Sequence, residues 1–321
     1  MNRAAAVLST DLLCIGETMI MLSSSVGEAL QTGGGLTLSV GGAESNVAIG
    51  VSRAGHRVAW ASLLGADRLG DVVAEFLRTQ RVDTALVERR DAPTGVYFKS
   101  IEGVGTVPLY YRSTSAATQM DSALARAWSA RISPRIVHLS GITAQISAGG
   151  RALLHAVCEE RVFGDALVSF DVNHRPALAS AGTPDELLRL ARGSDIVFVG
   201  ADEAQAVWGV SAEQLPRILP EPRHLIVKDA AEYAAEYTDD ARVACAPPRV
   251  DVVEAVGAGD AFAGGWLAAY LDGRSVHDRL AAGHAAAARV LVSHTDLPVE
   301  SDEESDLSAT PPEQRRQGAR E

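Results

Sequence analysis

The chain has 321 residues, of which 47% are hydrophobic and 22% charged, the balance of a globular protein with a full core. That length suits one large α/β domain or two small ones, and the composition excludes a mainly disordered chain, a collagen-like repeat or a small disulfide scaffold. Lys+Arg 29 against Asp+Glu 41 leaves a net charge of −12, which argues against nonspecific nucleic-acid binding and a polybasic membrane contact but not against an anionic substrate held by a few local cations.

Only Lys99 and Lys228 are lysines; the other cations are arginines, which beside the abundant alanine reads as composition bias. Cys14, Cys158 and Cys245 are far apart and form no CxxC pair, so neither a disulfide framework nor a zinc site is expected and a reducing cytosol fits. No apolar run reaches the roughly 18 residues of a membrane span, and the N-terminus lacks a leader pattern, so the expectation is a soluble cytoplasmic protein.

Taken in chain order, short apolar runs at 12–15, 58–64, 136–139, 167–170, 196–199 and 225–227 predict buried strands. Between and after them, 46–54, 71–79, 151–160, 184–191, 258–271 and 276–292 predict amphipathic helices. This alternation implies right-handed crossovers and an α/β fold whose mostly parallel sheet is covered on both faces, a three-layer α/β/α arrangement. Two stretches break it. Residues 19–40 and 96–112 have period-two character and Gly-containing turns such as 102–105, and read as antiparallel strands. They predict a small separate sheet, acting as a lid or dimer surface; ordinary surface hairpins are the alternative. From Pro298 the chain turns acidic and then Gln/Arg-rich, with Pro311-Pro312, which predicts a disordered tail over 298–321. Trp128, Trp208 and Trp266 fall in helical segments as core or interface residues.

The most informative segment runs Val253-Glu254-Ala255-Val256-Gly257-Ala258-Gly259-Asp260-Ala261-Phe262 into a helix. Glycines at a helix mouth let the backbone approach a ligand, and the free N–H groups there favour an anion. A carboxylate within such a cradle suggests a base that takes a proton from an attacking hydroxyl; a tight turn with a helix-start Asp is the plain alternative. There is no G-x-x-x-x-G-K-[ST] loop, and this late Gly-x-Gly is no dinucleotide fingerprint. Nor does the chain hold H-E-x-x-H or G-x-S-x-G. A second cluster, Gly41-Gly42-Ala43-Glu44-Ser45-Asn46, precedes a helix and is by itself no more than a capping sequence.

Together, the Gly41–Ala48 segment, Gly65-Ala66-Asp67-Arg68-Leu69-Gly70 and Ala255–Phe262 resemble the ribokinase-like (PfkB) carbohydrate kinases, over roughly residues 12–292. Within that family the likeness is to the 2-keto-3-deoxygluconate kinases. It rests on Ile15-Gly16-Glu17, Thr94-Gly95-Val96-Tyr97, Tyr110-Tyr111-Arg112 and Asp171-Val172-Asn173-His174-Arg175-Pro176. The resemblance implies one kinase domain over 1–297 with lid strands within 17–40 and 94–113. It implies ATP and Mg²⁺ as cofactors, with a monovalent cation as a further candidate; separately, a lid of exposed strands needs a partner to cover it, so a homo-oligomer through the lid is expected. Asp260 would be the base, with an anion hole from Gly257, Ala258 and Gly259. Gly42, Asn46, Tyr97, Tyr110, Arg112 and Arg175 would line the sugar-acid pocket. Glu203, Lys228 and His284 would serve the nucleotide, Glu203 reaching Mg²⁺ through water. Two arginines suit a carboxylate, which they bind through charge-assisted, often bidentate bonds; a salt bridge from Arg175 to Asp171 is the alternative use of that residue.

Departures from the family pattern gather on the nucleotide side. Gly200-Ala201-Asp202-Glu203 keeps the glutamate of N-x-x-E but not the asparagine, and Lys228-Asp229-Ala230-Ala231-Glu232-Tyr233-Ala234 replaces both glycines of K-x-G-x-x-G-A. Ala255 stands for a common threonine and His284 for a frequent asparagine. Two other readings follow: a kinase for another sugar such as fructose or ribose, and a catalytically weak sugar-acid-binding protein.

Overall fold

The structure, a computed structural model, describes residues 7–24, 30–101, 106–238 and 241–293. Strand β1 (Leu8–Ile15) leads into β2 (Met19–Ser24) and β3 (Leu36–Gly41), then helix α1 (Ala43–Arg53). Next come β4 (Val58–Ala61), β5 (Leu63–Gly65), α2 (Arg68–Thr79), β6 (Glu88–Arg90), β7 (Val96–Ile101) and β8 (Thr106–Tyr111). Helices and strands then alternate through α3 (Ser122–Ser129), β9 (Ile132–Ser140), α4 (Gly141–Ile146), α5 (Ala148–Cys158), β10 (Leu167–Asp171), α6 (Thr183–Arg192), β11 (Ile196–Gly200) and α7 (Ala201–Trp208). After α8 (Leu215–Ile218) follow β12 (His224–Asp229), β13 (Tyr233–Tyr237), β14 (Arg242–Cys245), α9 (Ala258–Leu271) and α10 (Val276–Leu291).

The main sheet has the order β14-β13-β12-β11-β10-β9-β1-β4. From β12 to β4 every neighbouring pair is parallel, and β13 and β14 finish one edge antiparallel. Because successive side chains on a strand point to opposite faces, each parallel strand feeds two cores. Leu13, Ile15, Val137, Leu139, Val197 and Val199 enter one, with α5 and α6 against them. Leu12, Cys14, Ile136, Ile196, Phe198 and Ile226 enter the other, with α1 and α9 against them. These strands therefore read as continuous apolar runs, and the three-layer expectation holds.

The second sheet has the order β3-β2-β7-β8, with β2 and β7 parallel and the outer pairs antiparallel. Its register sorts the side chains. Met19, Met21, Tyr97, Lys99 and Tyr110 share one face, while Leu22, Leu36, Leu38, Phe98, Leu109 and Tyr111 share the other. The first set faces the main domain; Leu36, Leu38, Leu109 and Tyr111 are exposed.

Several expectations need correction. The predicted strand 58–64 is two: β4 pairs with β1 in the main sheet, whereas β5 turns away after Ser62 to pair with β6. Strands β13 and β14, rich in Ala and charged residues, carry no apolar run and were not predicted, and neither were the short helices α3, α4 and α7. Trp128 and Trp266 are fully buried as expected, while Trp208 is half-buried and donates its Nε1–H to the Pro184 carbonyl at 3.0 Å. The 102–105 turn and the 298–321 tail lie outside the described residues. No helix among the described residues is long and apolar enough to cross a membrane.

Candidate active site

A cleft of about 1520 Å³ runs along the C-terminal ends of the parallel strands, roofed by the inner face of the small sheet. Open α/β sheets place their ligand crevices at this edge. Glu17 follows β1, Asp171 ends β10, Gly200 ends β11 and Lys228 lies near the end of β12, and all four line the cleft.

Two helices bring the chemistry together. Helix α9 crosses α1 where small residues leave no side chain between them: a Cβ on Gly264 would stand 3.4 Å from the Val47 carbonyl oxygen and 3.7 Å from the Gly50 Cα. That approach lets Asn46 Nδ2 donate to Asp260 Oδ2 at 3.0 Å. The other Asn46 amide atom, Oδ1, is buried with no partner among the described residues, an acceptor left for a ligand hydroxyl. Burial pushes the Asp260 carboxyl up to about 7, and the Asp171 carboxylate adds to the push; the Asn46 bond, Arg175 and Lys228 oppose it without cancelling it.

Helix α9 starts in a way that leaves donors free. Gly257 takes φ +84, a left-handed conformation that glycine enters without a Cβ clash, and no side chain caps the helix. Ala258 N–H turns back to the Ala255 carbonyl at 3.3 Å. The N–H groups of Gly257, Gly259 and Asp260 have no partner among the described residues, whereas that of Ala258 is taken up in the turn.

At one end of the cleft the residues expected to serve a nucleotide are gathered. Lys228 Nζ donates to Asp171 Oδ2 at 3.1 Å, which gives Asp171 a partner other than Arg175. Burial pulls the ammonium's pKa down, but the Asp171 and Glu203 carboxylates outweigh it and keep Lys228 above its ordinary value. Glu203 accepts the N–H groups of His174 and Gly200, each at 2.8 Å, and so pins two cleft loops; burial and then Asp171 raise its pKa. Ala230 holds φ +39, so the backbone makes the left-handed turn although glycine is absent. Tyr233 opens β13 with its ring 5.4 Å from the Arg242 guanidinium. His284 Nε2 meets the Cys245 carbonyl at 2.9 Å and packs edge-on to Phe262.

Gly42, Tyr97, Tyr110, Arg112 and Arg175 also line the cleft. A Cβ on Gly42 would stand 2.5 Å from the Glu17 carbonyl oxygen, so only glycine lets the chain pass this close to the segment after β1. Tyr97 is buried with its OH on Met21 Sδ at 3.0 Å, and its ring tilts against Tyr110 with centroids 5.5 Å apart. Arg112 is buried and ion-paired with Glu17, which also accepts from Ser115 Oγ. Its Nε has no partner among the described residues. Arg175 is exposed at the cleft, and its Nη1 donates to the His174 carbonyl at 3.2 Å. No carboxylate among the described residues pairs with it.

The structure also brings in residues that motif reading did not place in the site. Glu17 appeared only as a motif letter and Asp171 only as a possible partner of Arg175, and it is Arg112 and Lys228 that they meet. Lys99 and Glu254 gave no signal: they are 155 residues apart, yet Lys99 Nζ meets Glu254 Oε2 at 3.0 Å. Among the described residues no three His, Cys, Asp or Glu side chains come together as a metal cage.

Residues 9–300 match the model of the pfkB family carbohydrate kinases. The chain is 30% identical over 302 residues to a 2-dehydro-3-deoxygluconokinase of Bacillus subtilis, with 90% of this chain and 92% of that protein covered. A 2-dehydro-3-deoxygalactonokinase of Haloferax volcanii is also 30% identical, with 92% and 96% covered. Among solved structures, a PfkB protein from Polaromonas sp. JS666 superposes with a TM-score of 0.80 at 30% identity, covering 88% of this chain and 95% of that one. The chain belongs to the pfkB family of carbohydrate kinases and is a sugar kinase.

Proposed function

We propose that the protein transfers the γ-phosphoryl group of ATP to the terminal hydroxyl of 2-keto-3-deoxygluconate, or a close keto-deoxy sugar acid, giving the 6-phosphate and ADP. The observation that carries this reading is Asp260: a carboxyl raised to about 7, held by Asn46, at an uncapped helix start in the same cleft as an unpaired arginine.

The sugar acid's carboxylate binds Arg175, and its hydroxyls meet Asn46 Oδ1, Arg112 Nε and Tyr110. Asp260 takes the proton of the terminal hydroxyl as that oxygen attacks the γ-phosphorus; the bond to the β-phosphate oxygen breaks and ADP leaves. The N–H groups of Gly257, Gly259 and Asp260 face the charge spread over the transferring group, with Ala258 shaping the turn. Met19, Met21 and Tyr97 on the inner lid face keep water from the reacting atoms. Lys228 and His284 stand on the nucleotide side. Since no protein cage for a metal forms among the described residues, Mg²⁺ would arrive with the nucleotide, and Glu203 would hold it through water. When bound, the ion offsets phosphate charge. A neutral sugar such as fructose or ribose would leave Arg175 without an anion, and the retained left-handed turn at Ala230 favours a working nucleotide site over a mere sugar-acid-binding protein.

The functional unit extends over 1–297, and the exposed outer face of the small sheet, with Leu36, Leu38, Leu109 and Tyr111, pairs with a second copy of the chain. The test of function is a coupled ADP-release assay with ATP, Mg²⁺ and a panel of keto-deoxy acids and neutral sugars, run beside Asp260→Asn. Turnover confined to keto-deoxy acids and lost in the variant is expected. Faster turnover of fructose or ribose, or an active Asp260→Asn enzyme, would overturn the assignment.

A further inference from the structure

We propose that the ion pair between Lys99 and Glu254 is a pin that couples the small sheet to the phosphate cradle, making both residues positioning residues for phosphoryl transfer. Lys99 lies on β7, on the same face as Tyr97, and reaches out of the lid into the cleft. Glu254 lies three residues before Gly257, in the loop that delivers the free N–H groups of α9. Their side chains are 4% and 12% exposed, and Lys99 Nζ stands 3.0 Å from Glu254 Oε2.

The carboxylate is placed to fix the loop as well as to hold the lid. Its other oxygen, Oε1, accepts the N–H of Val256 at 3.4 Å, one residue before the left-handed Gly257. Behind it, Val253 N–H and Glu254 N–H both donate to the Leu291 carbonyl at the end of α10, at 2.7 and 3.2 Å. The loop is thus tied to α10 on one side and to the lid on the other. Burial keeps the pair from being screened as a surface salt bridge is.

Composition points the same way. Arginine supplies all but two of the basic side chains, and both lysines, Lys99 and Lys228, line this cleft with a carboxylate at 3.0 or 3.1 Å. An ammonium is a compact point charge on a slim stem, suited to pairing with a single carboxylate oxygen in a buried spot. A lid held to the cradle has a consequence for chemistry. The surface that covers the sugar acid and the donors that face the phosphoryl group move together, so the cradle is correctly set only when the lid is seated.

The kinetic part of this inference rests on the proposed kinase function, so the test has two arms on the full chain. In the first, Lys99→Met, Glu254→Gln and the exchanged pair Lys99→Glu with Glu254→Lys are followed by amide hydrogen exchange without ligand. Each single variant should speed exchange across 253–257 about fivefold or more, and the exchanged pair should recover most of the protection. In the second arm, the single variants should lower kcat about tenfold while KM for the sugar acid and for ATP each change less than about threefold. Unchanged exchange at 253–257 in both single variants would overturn the pin. So would an exchanged pair no better than the singles, or a rise confined to KM for the sugar acid, which would make Lys99 a substrate ligand. If the unaltered protein turns over no sugar acid, the functional reading fails, and the exchange arm still decides the pin.

Discussion

Asn46 and Asp260 are 214 residues apart in sequence and joined by one hydrogen bond of 3.0 Å across the α1–α9 crossing. The bond occupies Oδ2, so the remaining lone pairs of the carboxylate are left for a substrate hydroxyl. Because burial lifts the Asp260 carboxyl to about 7, kcat/KM should climb about tenfold per pH unit below that value and level off above it. Replacing the amide by a second carboxylate raises the proton affinity of the pair, so Asn46→Asp should move the acid limb upward by about one pH unit or more. A pH–rate profile of both enzymes checks this; a limb near pH 4 in the unaltered protein would count against the raised Asp260 carboxyl.

The two arginines at the sugar-acid end should behave differently. Arg175 is exposed and without a carboxylate partner among the described residues, so Arg175→Met should raise KM for the acid about tenfold to a hundredfold and leave KM for ATP and the melting temperature nearly unchanged. Arg112 is buried against Glu17, and Arg112→Met strands that carboxylate, at a cost of about 3–5 kcal/mol of stability. Steady-state kinetics beside thermal melts separate the two. Equal effects of both variants on melting would contradict the assignment.

Ala230 holds a left-handed backbone at φ +39, which costs a residue with a Cβ about 1–2 kcal/mol. Ala230→Gly should therefore stabilise the protein by about 1 kcal/mol, or about 2 °C in Tm, after glycine's extra unfolded-state freedom is subtracted. A lower Tm would mean that the alanine methyl makes contacts worth more than the strain.

The outer lid face offers four exposed apolar side chains on two strands at opposite edges of one sheet, Leu36 and Leu38 on β3 and Leu109 and Tyr111 on β8. Sedimentation should show a dimer at micromolar concentration, and Leu38→Asp with Tyr111→Asp should convert it to a monomer. A monomer in the unaltered protein would rule out pairing through this face.

The parallel strands were legible because burial on both faces makes them continuous apolar runs, as in 136–139 and 196–199. The antiparallel edge was not: β13 reads Tyr-Ala-Ala-Glu-Tyr, and it is a strand because β12 offers it a partner. The glycine cradle was legible from local spacing, since a left-handed helix start leaves glycine in the sequence. Ion pairs such as Arg112 with Glu17 were not, because two charges far apart in the chain carry no sign of whether they will meet. The turn at Ala230 shows the reverse limit: glycine is missing from the sequence there, yet the surrounding fold imposes the left-handed conformation on alanine.

The placement of both lysines in the cleft has a practical consequence. Apart from the α-amino group at Met1, Lys99 and Lys228 are the chain's whole stock of primary amines. Reagents that acylate amines, which on most proteins decorate the surface at random, here have side-chain targets only inside the cleft. The reactivity of this protein toward such reagents is therefore a gauge of how open the cleft is.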